Sequence, residues 1–148
     1  MINPLDNPSI TDLLPHRGRM LLIHEIVQID KDSAVSRSVI NNQWPTFDGA
    51  GVSPLLIIEL VAQTSGLNNG LDRLKKEGQG TETKGWLVGI KKAILHVDTL
   101  ELGMVVTTRA KNSFKFEGFR EIEGQAMIGQ QVAGEVTLQV VRADGDLK

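Results

Sequence analysis

Apolar residues crowd one stretch of this chain more densely than any other: VSPLLIIELVAQTSGLNNGLDRLKKEG, Val52 through Gly78. Leu55 to Ile58 and Leu60 to Ala62 would cover every side of a helix, so its first half must be wrapped by protein. Leu67, Leu71 and Leu74 then narrow the apolar surface to one stripe, and Lys75-Lys76 put positive charge where the helix dipole favours it. Ser53 suits the N-cap, and Pro54 suits the first helical position, where an N–H is not needed. The spacing predicts a helix over about 54–77. On it, Glu59, Gln63, Gly66 and Gly70 fall at i, i+4, i+7 and i+11, a single narrow face. Two helical glycines cost about 1 kcal/mol each against alanine, which points to close approach by another backbone or a ligand. Glu59 is the one acid in the apolar half. It is either a salt-bridged or solvent-reaching acid or a functional one.

The remaining pattern has a period of two. Met1 to Asp6 reads as an extended lead, followed by a helical turn at Ile10–Leu14 that Pro15 ends. RMLLIHEIVQID reads as a strand with Leu21, Ile23, Val27 and Ile29 alternating, and SAVSRSVIN (33–41) as its hairpin return. Asn41 to Val52 is loop, and Gly78 to Lys84 a polar, flexible connection. Gly85 to Val97, Met104 to Asn112, Ser113 to Gly124 and Val132 to Val141 read as further strands. Phe114 and Phe116 share a face but Phe119 is out of phase, which suggests a bulge at Glu117-Gly118. In the last strand Val132, Val136, Leu138 and Val140 are expected to face inward. A hairpin, one buried helix and a run of antiparallel strands predict an α+β hotdog fold: one sheet curled around the helix, in a single domain over 1–148. Such a sheet has two edges, and pairing edge to edge in a dimer removes one of them.

Composition narrows the chemistry by exclusion. With 16 basic and 18 acidic residues and a net charge of −2, the chain has no nucleic-acid or anionic-membrane footprint. It has no cysteine, hence no disulfide, thiolate nucleophile or cysteine metal site. The opening MINPLDNPS lacks a basic-then-apolar leader pattern, and no apolar run approaches membrane length; a cytoplasmic location is the expectation. His16, His24 and His96 are not spaced as metal ligands, so neither metal nor cofactor is expected.

Two stretches carry a family resemblance. LLPHRGRMLLIHEIV (13–27) resembles the opening of the 3-hydroxyacyl-acyl-carrier-protein dehydratases, and LLIIELVAQTSG (55–66) resembles their central helix. LVGIKKAIL (87–95) is similar to a later strand segment of theirs, and order and spacing hold from Ile10 to Val141. Kinship looks closer with the dehydratase-like proteins of aryl-polyene pathways. The resemblance implies a homodimer with active sites at the subunit boundary and an acyl thioester as substrate, on acyl-carrier protein or coenzyme A. It implies that Glu59 delivers a proton to the leaving hydroxyl with Gln63 beside it, and that amides at the helix start hold the thioester oxygen. It also implies substrate contacts along the segment holding Trp86 and Gly89.

The sequence departs from the family where the base should be. The family's loop histidine is absent from NNQWPTFDGAGVS, and Pro54 stands where a glycine usually opens the helix. An oxyanion hole must then use the Leu55 or Leu56 amide. The histidine's role falls to His16, to Asp48 or to a partner chain. His16 is otherwise a structural histidine near the helix mouth, and Asp48 otherwise the first residue of an Asp-Gly turn. His24 and His96 read as packing or rim residues. Trp44, Phe47 and Trp86 line an acyl tunnel or are plain core. Three functions remain open: a dehydratase, a non-catalytic acyl-binding or heterodimer subunit, and a hotdog thioesterase in which Glu59 activates water.

Overall fold

In the computed structural model, residues 9–78 and 85–142 are described. The expected lead at Met1–Asp6 lies outside them, as do residues 79–84 of the expected connection. After Ser9 come α1 (Ile10–Leu13), a 3-10 turn (Gly18–Met20), β1 (Glu25–Ile29), β2 (Ser33–Val39), β3 (Gly51–Val52) and α2 (Leu56–Glu77). The second half is all strand: β4 (Gly85–Leu95), β5 (Leu100–Glu101), β6 (Val105–Phe116), β7 (Phe119–Ile128) and β8 (Gln131–Arg142).

Six strands form one antiparallel sheet in the order β1-β2-β6-β7-β8-β4, and β3 pairs with β5 in a separate two-stranded ladder. The sheet curls around α2, giving the hotdog fold. Its concave face is lined by small residues where the helix comes closest: a side chain at Gly124 would run into Val61, and one at Gly134 would meet Ile57. The main core joins Ile57, Leu60 and Val61 of α2 to Val106, Ala110, Ile122, Val136 and Leu138 of the sheet, and includes Trp44 and Leu100. A second cluster sets Leu67 and Leu74 against Leu13, Leu14 and Ile23. Burying each such leucine or isoleucine contributes about 1.5–3 kcal/mol.

Several local expectations change. The first strand is shorter than expected, because Leu21–His24 precede the sheet ladder. Between Ile26 and Gln28 the register slips by one residue, so Val27 is left exposed while Ile26 and Ile29 pack against the second cluster. Glu117-Gly118 is a two-residue hairpin turn rather than a bulge: Phe116 pairs with Phe119, and Glu117 takes φ 52. The bulge of that hairpin lies instead between Asn112 and Phe114. In β8 a slip opposite Ala126/Met127 puts Ala133 in the core, where Val132 was expected. The helix proper begins at Leu56, two residues after Pro54, because Leu56, Ile57 and Ile58 first donate to the carbonyls three residues back. Ser53 still caps this turn, its Oγ accepting the Leu55 N–H at 3.2 Å.

The two sheet edges are β1 and β4. On β4, Trp86, Leu87, Val88, Ile90 and Ile94 are all exposed, Val88 by 56%. A long edge strand this apolar is a template for pairing with another chain.

A candidate acid–base site on the central helix

The segment before β1 lies along the glycine-bearing face of α2 as a strap. A methyl at Gly70 would meet the Leu13 carbonyl, and one at Gly66 would meet the Leu14 side chain. The close approach expected from the two glycines is therefore made by this chain's own strap, through backbone at Gly70 and through a side chain at Gly66. Gln63, fully buried, fixes the return of the strap. Its Nε2 donates to the Met20 carbonyl at 2.7 Å, and its Oε1 accepts the Leu22 N–H at 3.0 Å.

The same Nε2 donates to Glu59 Oε1 at 2.9 Å. Across from it, His16 Nε2 lies 3.2 Å from that oxygen. His16 and Glu59 are about two-thirds buried, with side-chain exposures of 31% and 35%, and His16 Nδ1 is buried without a hydrogen-bond partner. Burial acts to raise the Glu59 pKa, but the hydrogen bonds from His16 and Gln63, with the His16 charge, outweigh it and hold the carboxyl below 4.5. At neutral pH Glu59 is thus a carboxylate, partly open to solvent and gripped from two sides.

The other expected site residues are placed differently. Asp48 is exposed, and its Oδ1 accepts the amides of Ala50 and Gly51, both at 3.0 Å, which hold its pKa down. This is the Asp-Gly turn geometry, not the desolvation a base would need. The amide of Leu55 is taken by Ser53 Oγ and that of Leu56 by the Ser53 carbonyl at 3.1 Å. Trp44 is core, and Phe47 packs against it. Trp86 is 55% exposed on β4, and the α-carbon of Gly89 on the same strand faces the Gln139 side chain. His24 Nδ1 accepts the Val39 N–H at 2.9 Å, and His96 pairs with Glu135 at 3.1 Å on the rim. Arg17, which sequence reasoning passed over, holds three strap carbonyls beside His16. Among the described residues no group of three or more metal-ligating side chains converges, and no helix is long and apolar enough to cross a membrane.

Comparison with known proteins gives a consistent set. The family described as ApeP dehydratase matches residues 8–148. The 3-hydroxyacyl-[acyl-carrier-protein] dehydratase FabZ of Bordetella pertussis is 32% identical over 135 residues, covering 82% of this chain and 88% of its own. FabZ of Bradyrhizobium diazoefficiens is 30% identical over 146 residues, covering 90% and 92%. Among solved structures, the dehydratase heterocomplex ApeI:P from Xenorhabdus doucetiae superposes with a TM-score of 0.82 over 92% of this chain and 91% of that one, at 18% identity.

Proposed function

This chain belongs to the ApeP-like dehydratase family, and from that premise we propose that it removes water from a 3-hydroxyacyl thioester with Glu59 as the group that meets the substrate. The observation that carries the reading is the Glu59 carboxylate, ionised, partly open and held between His16 and Gln63. FabZ relatives at 30–32% identity support the same substrate class. In this scheme the carboxylate takes the proton α to the thioester, and the C–H electron pair becomes the new double bond as the β-hydroxyl leaves. The carboxylic acid just formed gives its proton to that hydroxyl, which departs as water, and the carboxylate is regenerated. His16 steadies the carboxylate before and after, and the role of base that the family gives to a loop histidine falls to Glu59 itself. Asp48 has no part in it. A thioester oxygen would reach the Leu55 or Leu56 amide by displacing Ser53.

The test is turnover of 3-hydroxybutyryl-coenzyme A and of a 3-hydroxyacyl group on acyl-carrier protein, read as enoyl thioester absorbance. Wild type forms enoyl product and Glu59→Gln does not; no product from wild type, or equal rates in the two, overturns the proposal. Release of free thiol without enoyl product would favour the thioesterase instead.

A second reading rests on the histidine-free loop and the bare β4 edge. There the chain pairs through β4 with a related hotdog subunit, and that subunit supplies a histidine to Glu59 or does the chemistry alone. The neighbour solved as a dehydratase heterocomplex supports this pairing. Trp86 and Gly89 would then act at the subunit boundary, as they would in a homodimer. Native mass spectrometry of the protein isolated from its source separates the two assemblies. A cytoplasmic setting is part of either proposal.

A further inference from the structure

No regular ladder fixes His16 against Glu59. Leu14 to Arg17 are in neither helix nor strand, and both Leu14 and Arg17 have extended backbones. Three residues C-terminal to Leu14 the Arg17 side chain doubles back. Its Nη1 donates to the Leu14 carbonyl at 2.6 Å and to the His16 carbonyl at 2.8 Å, and its Nη2 donates to the Thr11 carbonyl at 3.0 Å. Thr11 and Leu14 carry carbonyls at the end of α1 that lack a partner within so short a helix. A planar guanidinium can hold the carbonyl of His16 and two carbonyls upstream of it at once; an ammonium has the charge without the fixed fork. Downstream, Gln63 pins the strap at Met20 and Leu22. His16 therefore sits between two clamps, and Arg17 is the upstream one.

We infer that Arg17 is a positioning residue for the Glu59 site: by gathering the Thr11, Leu14 and His16 carbonyls it holds the His16 imidazole against the Glu59 carboxylate. The inference rests on the proposed role of Glu59 for its catalytic consequence, but the geometric claim stands apart from it. Arg17 touches no reacting group and acts through His16. The groups set against Glu59 are His16 from the strap and Gln63 from its own helix, so loosening the strap removes one of two restraints on the carboxylate. The Glu59 pKa should then rise toward its ordinary value.

The experiment titrates Glu59 by carbon-13 NMR in the full chain, in wild type, Arg17→Ala and Arg17→Lys, with Asp32 as internal control. Asp32 is held low mainly by Lys115, with Asn112 adding to it, and neither belongs to the strap. The expected result is an upward shift of Glu59 in Arg17→Ala, a smaller one in Arg17→Lys, and Asp32 unmoved in both. If wild type turns over hydroxyacyl thioester, kcat should fall on the order of ten- to a hundredfold in Arg17→Ala with KM little changed. Glu59 titrating as in wild type in both variants overturns the inference whatever the activity, as does a shift of Asp32 as large as that of Glu59. A Glu59 shift in the variants, alongside a wild type that shows no turnover, keeps the inference and sinks the dehydratase reading. Should Arg17→Ala not fold, Arg17→Lys and Arg17→Gln carry the same comparison.

Discussion

The strap can be prised from the helix at one point with a single methyl group. At Gly70 a β-carbon would lie 2.5 Å from the Leu13 carbonyl oxygen and 3.3 Å from both its carbonyl carbon and its α-carbon. All three are backbone atoms, so the strap itself must retreat by about half an ångström or more; overpacking of this kind costs about 1–3 kcal/mol. Alanine is favoured over glycine inside a helix by about 1 kcal/mol. The clash outweighs the propensity, and Gly70→Ala should lose about 1 kcal/mol net, near 3 °C in melting temperature for a chain this size. At Gly66 the obstacle is Leu14 Cδ2, the far end of a side chain. Moving it off its rotamer costs about 0.5–1.5 kcal/mol, which roughly cancels the same propensity gain, so Gly66→Ala should be near neutral. Urea unfolding of the three proteins at constant m decides the order. In Gly70→Ala the displaced strap should also carry His16 away from Glu59, raising the Glu59 pKa. A Gly70→Ala protein as stable as wild type, or a larger loss at Gly66 than at Gly70, would refute the packing argument.

Other perturbations test the same structure from different sides. Gln63→Leu leaves the buried Leu22 N–H without an acceptor, while the Met20 carbonyl, on an exposed residue, can turn to water; urea unfolding should show a loss of about 1–3 kcal/mol. Acidification should weaken the fold in a defined window. Glu59 and Asp32 both have folded pKa values below their ordinary 4.5 and 3.8, so their contribution is complete above those values and is lost as pH falls through the lower folded ones. Stability measured from pH 6 down to pH 3 should decline, and less steeply in Asp32→Asn; an equal slope would remove Asp32 from the account. Glu117→Gly should stabilise by about 0.5–1 kcal/mol in thermal melts, because residue 117 holds a left-handed φ of 52 that a side chain resists. Ile90→Lys on the exposed edge should shift the assembly toward monomer in sedimentation velocity without unfolding the chain, and an unchanged sedimentation coefficient would exclude β4 as the contact.

The helix was legible because its signal is periodic and long, and because a polar row of Glu59, Gln63, Gly66 and Gly70 interrupts an apolar field. The main strands were legible in number, and their facing only in part: Val136 and Leu138 face the core as expected, while Val27 and Val132 do not. Each slip, at Val27, near Ser113, at Ala133 and at Val88 and Lys91 on β4, inserts one extra residue and inverts the alternation beyond it. Nothing in the composition of those stretches marks the extra residue. Val27 is as apolar as Ile26 and Ile29, and only the partner strand reveals that it is left out. At Glu117-Gly118 the change of phase is real, but a turn and not a bulge produces it. A phase change between two aromatic runs is what a bulge produces within a strand, and also what two strands show when a tight turn folds one onto the other. The short β3/β5 ladder was out of reach because two-residue strands carry no periodicity at all.

The pairing of His16 with Glu59 lay between these cases, since its parts were visible and their meeting was not. From Gly70 back to Glu59 is eleven residues of helix, about 16 Å at 1.5 Å each. From Leu13 to His16 is three residues, which span about 10 Å of extended chain. The difference of about 6 Å is a distance that an imidazole and a carboxylate side chain can close between them, provided the strap starts in backbone contact with the helix. Gly70 supplies that condition, because the Leu13 carbonyl rests where its side chain would be. The glycine is thus not merely tolerated in α2: it sets the height at which the strap runs, and so whether His16 reaches Glu59 at all. A loop histidine delivered from a partner and a strap histidine delivered from the same chain are two routes to one carboxylate. In the second route the imidazole meets Glu59 through Nε2 while Nδ1 stays buried, and about a third of each side chain stays open to solvent.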